Sequence, residues 1–252
     1  MAAPTKRTLA RILEILRGTY GPRPAKIWGK CVGVLVETIL SQNTSNANSA
    51  AGYRQLRRRF KSWNQVADAP LEEVERHIRV SGLSKQKAPR IQAILRQIRA
   101  DHGKIDLQHL KALDEQAAYE YLRRFPGVGP KTAHCTLLFS FGMAMFPVDT
   151  HIHRIAIRLG LVPPKATAEQ TAELLKPLIA PEDRYETHVL LIEHGRRTCR
   201  AINPKCDECR LLRMCPTGQK RAQPGIGRPA IHASASLLLS ARLRSQIQDK
   251  GN

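Results

Sequence analysis

Leu9, Ile12, Leu13 and Leu16 recur at the three- and four-residue spacing of one helical face, and a turn over Gly21 to Pro24 ends the pattern. From Trp28 to Leu40 the chain is apolar nearly all round, through Cys31, Val32, Val34, Leu35, Val36, Ile39 and Leu40. That stretch predicts a buried central helix. Further helical periodicities lie near 46–60, 71–80, 85–100, 114–124, 131–142, 150–160, 167–179 and 183–195. No alternating strand pattern accompanies them, so the expected fold class is all-α. From Pro216 onward the texture turns to Pro, Gly, Gln and Ser, with six basic residues against one acidic. Residues 216–252 therefore read as a basic flexible tail, with one short helix around Leu237 to Leu243.

Charge narrows the partners. The 252 residues include 41 Lys and Arg against 21 Asp and Glu, a formal charge of +20 and a pI near 10.3, which biases the surface strongly towards a polyanion. Nucleic acid is the expected partner. A membrane is not, because the chain has no apolar run of membrane-spanning length and its basic residues are spread over many helices. With 42% hydrophobic content the chain can bury one core or two small ones.

The densest chemistry lies in FPGVGPKTA, residues 125–133, followed 18 positions after Lys131 by Asp149 in PVDTH. Gly127 and Gly129 allow positive φ and close approach by another molecule, so their amide N–H groups can point together at a phosphate oxygen. Ala133, Leu137, Leu138 and Phe141 then recur at helical spacing, which puts Lys131 in the first turn of a helix beside that anion grip. An unprotonated amine there can attack C1′ of a deoxyribose and expel the base. Free lysine titrates at about 10.4, so such chemistry at neutral pH requires an amine desolvated against substrate. Asp149 suits two tasks: accepting the lysine proton, or stabilising positive charge that develops on the sugar. The same residues also fit an ordinary interhelical turn, a solvated lysine and the N-cap of a helix starting at Thr150.

Four of the six cysteines, Cys199, Cys206, Cys209 and Cys215, fall within 17 residues with gaps of six, two and five. No apolar signal segment opens the chain, so an intracellular, reducing setting is expected, in the cytoplasm or nucleoid, and thiolate ligation of a metal is favoured over disulfides. Zinc and a [4Fe-4S] cluster both accept four thiolates. Only Cys206 and Cys209 form a close pair, which tilts the reading towards the cluster. Cys31 and Cys135 sit on apolar helical stretches and read as buried free thiols.

FPGVGPKTA, VDTH, LIEHGRRTC and the cysteine gaps together resemble the endonuclease III family, the helix-hairpin-helix DNA glycosylases that carry an iron-sulfur cluster; the resemblance spans roughly residues 5–215. It implies a two-lobed helix-hairpin-helix glycosylase architecture with a [4Fe-4S] cluster loop. One lobe would hold residues 26–142, the other residues 1–25 plus 143–215. By that similarity Lys131 is the Schiff-base lysine, Asp149 the essential aspartate, and Cys199, Cys206, Cys209 and Cys215 the cluster ligands. The hairpin from Pro126 to Lys131, with Gly127 and Gly129, would bind DNA phosphate. Gln42 resembles the polar plug that fills the gap left by an extruded nucleotide, and Leu83 the apolar wedge. His151 matches a family position. Arg200 and Lys205, with Arg196 and Arg197 before them, would make the cluster loop a basic DNA contact.

The implied activity is that of a monomeric, bifunctional DNA glycosylase and AP lyase. It would remove an oxidised or otherwise damaged pyrimidine from double-stranded DNA, or act at an abasic site, and cleave the strand by β-elimination. Two alternatives stay open: a monofunctional mismatch-specific glycosylase that uses water, and a non-catalytic iron-sulfur DNA-binding protein. Relatives of the first kind typically lack the lysine, and the adenine branch uses a glutamate; Glu37 falls about one residue off that register. Departures at Asn43, Ser45 and Ser84 imply a base pocket that differs from that of endonuclease III proper. A metal site from Asp149, His151 and His153 is disfavoured, because alternating positions at a helix start converge poorly.

Overall fold

The structure, a computed structural model, describes residues 4–222, and among them every regular element is helical. The short helix expected around Leu237 to Leu243 lies outside the described residues. Twelve α-helices follow in order: α1 Lys6–Tyr20, α2 Cys31–Leu40, α3 Asn46–Arg59, α4 Trp63–Asp68, α5 Leu71–Ile78, α6 Ser84–His102, α7 Glu115–Arg123, α8 Pro130–Phe141, α9 Thr150–Arg158, α10 Ala168–Leu175, α11 Arg184–Arg197 and α12 Pro216–Ala222. None of them is long and apolar enough to cross a membrane.

Two hydrophobic clusters organise the packing. The first is built from residues between Cys31 and Met145, with α2 laid against α8 at its centre. The second joins Leu9, Ile12, Leu13 and Leu16 of α1 to residues between Phe146 and Leu211. The four α1 side chains are each at most 3% exposed, so their spacing does what the sequence suggests. Burial of each contributes about 1.5 to 3 kcal/mol. Arg17 at the end of α1 then pairs with Asp183 at 2.7 Å and Glu186 at 2.6 Å, fixing that helix to the start of α11.

Three expectations need correction. The central helix begins at Cys31 rather than Trp28, and Trp28 lies in the connection before it, 54% exposed. The connection holds two prolines and two glycines between Gly21 and Gly29, which deny it helical hydrogen bonding. Helix α4 was not expected; Ser62 and Gln65 form a capping box at its start, and Val66 and Ala67 are buried. The chain from Pro216 to Ala222 is helical rather than a flexible start to the tail, with Pro216 at the opening and Gly218 buried against Leu212 and Cys215.

Candidate active site and cysteine cavity

Pro130 opens α8, and Gly129 in extended backbone (φ −81°) precedes it as N-cap, so Lys131 occupies the first turn with its stem directed from the helix start. Asp149 caps α9: its Oδ1 accepts the N–H of His151 and of Ile152, both at 2.9 Å. The capping role is therefore real, and it leaves the carboxylate on the wall of a cavity shared with Lys131. Glu37 and Thr38 from α2, Cys135 and Phe139 from α8, His188 and Arg196 from α11 and Trp28 from the connection complete most of that wall. The cavity measures about 250 Å³ and opens to solvent.

The surroundings keep the polar lining chemically quiet. His188 donates from Nδ1 to the Pro147 carbonyl at 2.8 Å, and burial holds its pKa down at about 4, so the imidazole is neutral. Burial pushes the Cys135 thiol up to about 11, which makes it a poor nucleophile. Glu37, half-buried, has its carboxyl raised above the usual range by desolvation. Arg196 is held by Asn46, its Nη2 donating to Oδ1 at 3.1 Å.

Lys131 also borders a second groove with Gln42, Gly127, Gly129 and Thr132. Phe125 donates to the Leu122 carbonyl and Val128 to that of Phe125, and Arg123 caps the Val128 carbonyl at 2.8 Å, so the hairpin is a closed turn. Gly127 uses the freedom of glycine and adopts φ of 71°; Gly129 stays in the extended backbone that an N-cap requires. Gln42 donates to the Gly127 carbonyl at 3.4 Å and to Thr132 Oγ1 at 3.2 Å, and accepts from Arg90 at 3.4 Å. The plug candidate is thus tied to the hairpin.

The four clustered cysteines line one cavity with Arg158, His194 and Gly218, and all are free thiols. Hydrogen-bond donors already point at two of the sulfurs: Arg158 Nη1 reaches Cys199 Sγ at 3.3 Å, and the Gly218 N–H reaches Cys215 Sγ at 3.2 Å. Burial, with the neighbouring thiols adding, pushes Cys209 up to about 11. Among the described residues no three His, Cys, Asp or Glu side chains are arranged around a single metal ion.

Residues 36–181 match the profile of the HhH-GPD superfamily base excision DNA repair proteins. The chain belongs to that superfamily. Endonuclease III of Thermotoga maritima is 36% identical over 191 residues, 75% of this chain and 84% of its own, and endonuclease III of Bacillus subtilis is 33% identical over 193 residues, 77% and 84% respectively. A putative DNA glycosylase of Arabidopsis thaliana is 37% identical over 162 residues, and this chain spans 55% of its length. A trapped covalent intermediate of endonuclease III with DNA superposes with a TM-score of 0.77 at 27% identity, over 87% of this chain and 100% of that one.

Other residues named from the sequence are placed less centrally. Leu83 is 46% exposed at φ of 51°, in the turn that starts α6. His151 accepts from Arg154 Nη2 at 3.1 Å and packs against Gly195, so it braces α9 on α11. Arg200 is exposed, and its carbonyl is bound by Arg158 at 2.7 Å; Lys205 pairs with Glu208 at 3.1 Å. His153 turns to Thr171 at 3.0 Å, away from any metal arrangement with Asp149. Ser45, at the departure from the family pattern, is the N-cap of α3, a role an acid would also fill. Among the pocket residues, sequence motifs mark neither Trp28, Asn46 nor His188 as part of a site, and mark Arg196 only as a basic residue before the cysteine loop. Glu37, about one residue off the register of the adenine branch's glutamate, reaches the same cavity as Lys131.

Proposed function

We propose that this endonuclease III homologue is a DNA glycosylase and AP lyase that excises a damaged, oxidised pyrimidine through Lys131. The observation carrying the reading is the position of Lys131, which borders the large cavity on one side and the hairpin groove on the other. A nucleotide whose phosphates rest on the hairpin around Gly127 delivers its extruded base into the first space and its C1′ to the amine between them.

The steps follow from the groups present. The Lys131 amine forms a bond to C1′ as the bond to the base breaks, and the base leaves with the electron pair and takes up a proton. Asp149, anchored by two backbone N–H groups, faces the cationic sugar and stabilises it. Asp149 takes the proton from the bound nitrogen and returns it to the ring oxygen as the ring opens, which gives a protonated imine; loss of a C2′ proton to water then expels the 3′ phosphate by β-elimination. Water releases the lysine from the sugar fragment. His188 stays neutral and adds no positive charge beside the developing sugar cation.

Residues 26–142 and the pairing of 1–25 with 143–215 act as two lobes, with duplex DNA across the seam where Lys131 meets Asp149. Gln42 and Leu83 enter the gap left by the extruded nucleotide. Cys199, Cys206, Cys209 and Cys215 would hold a [4Fe-4S] cluster: the donor set is four thiols lining one cavity, two of them receiving hydrogen bonds that favour thiolate. When bound, the cluster supplies four iron-thiolate bonds that cross-link the loop carrying Arg200 and Lys205 to the end of α11. Borohydride added to protein and an abasic duplex tests the reading. A covalent adduct that maps to Lys131 is expected, and base release without any adduct contradicts it by pointing to water as nucleophile.

A further inference from the structure

Trp28 is a large aromatic residue left 54% exposed, and it is nevertheless fixed from three directions. Its backbone N–H donates to the Phe139 carbonyl at 2.8 Å. Its ring stacks on Phe139 with centroids 3.8 Å apart and planes 18° off parallel, and its indole N–H reaches the Tyr185 hydroxyl at 3.3 Å. Phe139 in turn meets Tyr185 and His188 edge-on, both at 5.6 Å, so the indole rests on a rigid aromatic base. The indole borders the same cavity as Lys131 and Asp149.

An aromatic ring immobilised on one face and uncovered elsewhere is poorly explained by packing, since burial is what makes such a ring stabilising. Extrusion of a nucleotide strips its base of two stacking partners, and a fixed aromatic face at the mouth of the receiving cavity restores one. We propose that Trp28 is the stacking platform for the extruded base. The proposal rests on the glycosylase reading above and deepens it. Because every base has a π-face, the platform holds any lesion that enters; discrimination between lesions falls to the polar wall.

An abasic site carries no base, so it has nothing to stack, and this separates a platform from a structural residue. Trp28→Ala and Trp28→Phe are compared with the parent protein in two single-turnover assays. One follows base release from a panel of oxidised-pyrimidine duplexes, with hot alkali converting every product to a strand break so that the readout does not depend on Lys131. The other follows scission of a pre-formed abasic duplex. Trp28→Ala is expected to slow base release roughly 5- to 150-fold across the panel, the range of one lost stacking contact, while Trp28→Phe keeps most of the rate. Abasic scission by Trp28→Ala is expected to fall far less than base release does. Equal losses in both assays assign Trp28 a purely structural role and overturn the proposal, as does undiminished base release by Trp28→Ala. A parent protein that releases no base from the panel overturns it too. Absence of a borohydride adduct, with base release still dependent on Trp28, supports the platform and sinks the lysine reading instead.

Discussion

Lys87 Nζ donates to the Leu40 carbonyl at 2.7 Å, and the same amine donates to the Ser81 carbonyl at 2.8 Å. The side chain is 1% exposed, so one buried amine ties the end of α2, just before Gln42, to the turn just before Leu83. The two residues assigned to the gap in the duplex are thereby held by a common clamp. Lys87→Met leaves two buried carbonyls without a donor, at about 1 to 3 kcal/mol each, and a clear fall in melting temperature is expected. Burial holds the Lys87 pKa down at about 8. Between that value and the roughly 10.4 of an unfolded lysine the unfolded chain binds more protons, so this group adds stability as pH rises. The stability gap between parent and Lys87→Met should therefore widen from pH 7 to pH 10 in thermal melts; a gap that narrows contradicts the lowered pKa that burial gives this amine.

Gly127 and Gly129 predict opposite sensitivities. At Gly127 φ is 71° and an added Cβ runs into the Arg90 side chain, whereas at Gly129 φ is −81° and the nearest atom, Arg123 Nη1, stands 3.9 Å away. Gly127→Ala is expected to cost about 1 kcal/mol or more in stability from backbone conformation alone. It also displaces Arg90 from Gln42, so affinity for an abasic duplex falls. Gly129→Ala removes neither contact, and its melting temperature should lie closer to the parent. Equal melting curves for the two variants would refute the assignment of the tight turn to Gly127.

Asp149→Asn keeps an N-cap of nearly the same strength, so a stability change of about 0.5 kcal/mol or less is expected. Loss of the carboxylate charge removes stabilisation of the sugar cation, and turnover should drop by about 10² to 10⁴. Activity retained within a few fold would make Asp149 only a helix cap.

Glu37 is a half-buried carboxyl whose pKa is raised by desolvation. Its folded pKa lies above the unfolded one, so its favourable contribution is complete below the unfolded value of about 4.3 and is lost as pH climbs through the folded value. Glu37→Gln removes a buried charge at neutral pH and should melt higher than the parent at pH 7, with the difference shrinking towards pH 4. A parent that melts higher at pH 7 would show that the carboxylate has a partner.

Much of the fold was legible because burial wrote a period into the chain. Leu9, Ile12, Leu13 and Leu16 are one such record, and the apolar run of α2 is another. Helix α4 escaped because six residues are too few to show a period; Ser62 and Gln65, its capping box, were the available signal. Trp28 was folded into the apolar run beside it, since hydrophobicity alone does not separate an indole in a core from one at a cavity mouth. Lys131 and Asp149 were readable from motif and spacing, but their meeting on one wall depends on α8 and α9 packing from different clusters. Lys87 was invisible, as no residue type marks a lysine for burial when its partners are carbonyls 47 and 6 positions away.

Strand scission of an abasic duplex by Lys131→Gln is the most direct measurement of the central assignment. Glutamine keeps an unbranched polar side chain, one atom shorter, without a nucleophilic amine. The account predicts loss of the borohydride adduct and a fall in scission of at least about 10² at unchanged DNA affinity; scission at the parent rate would contradict it.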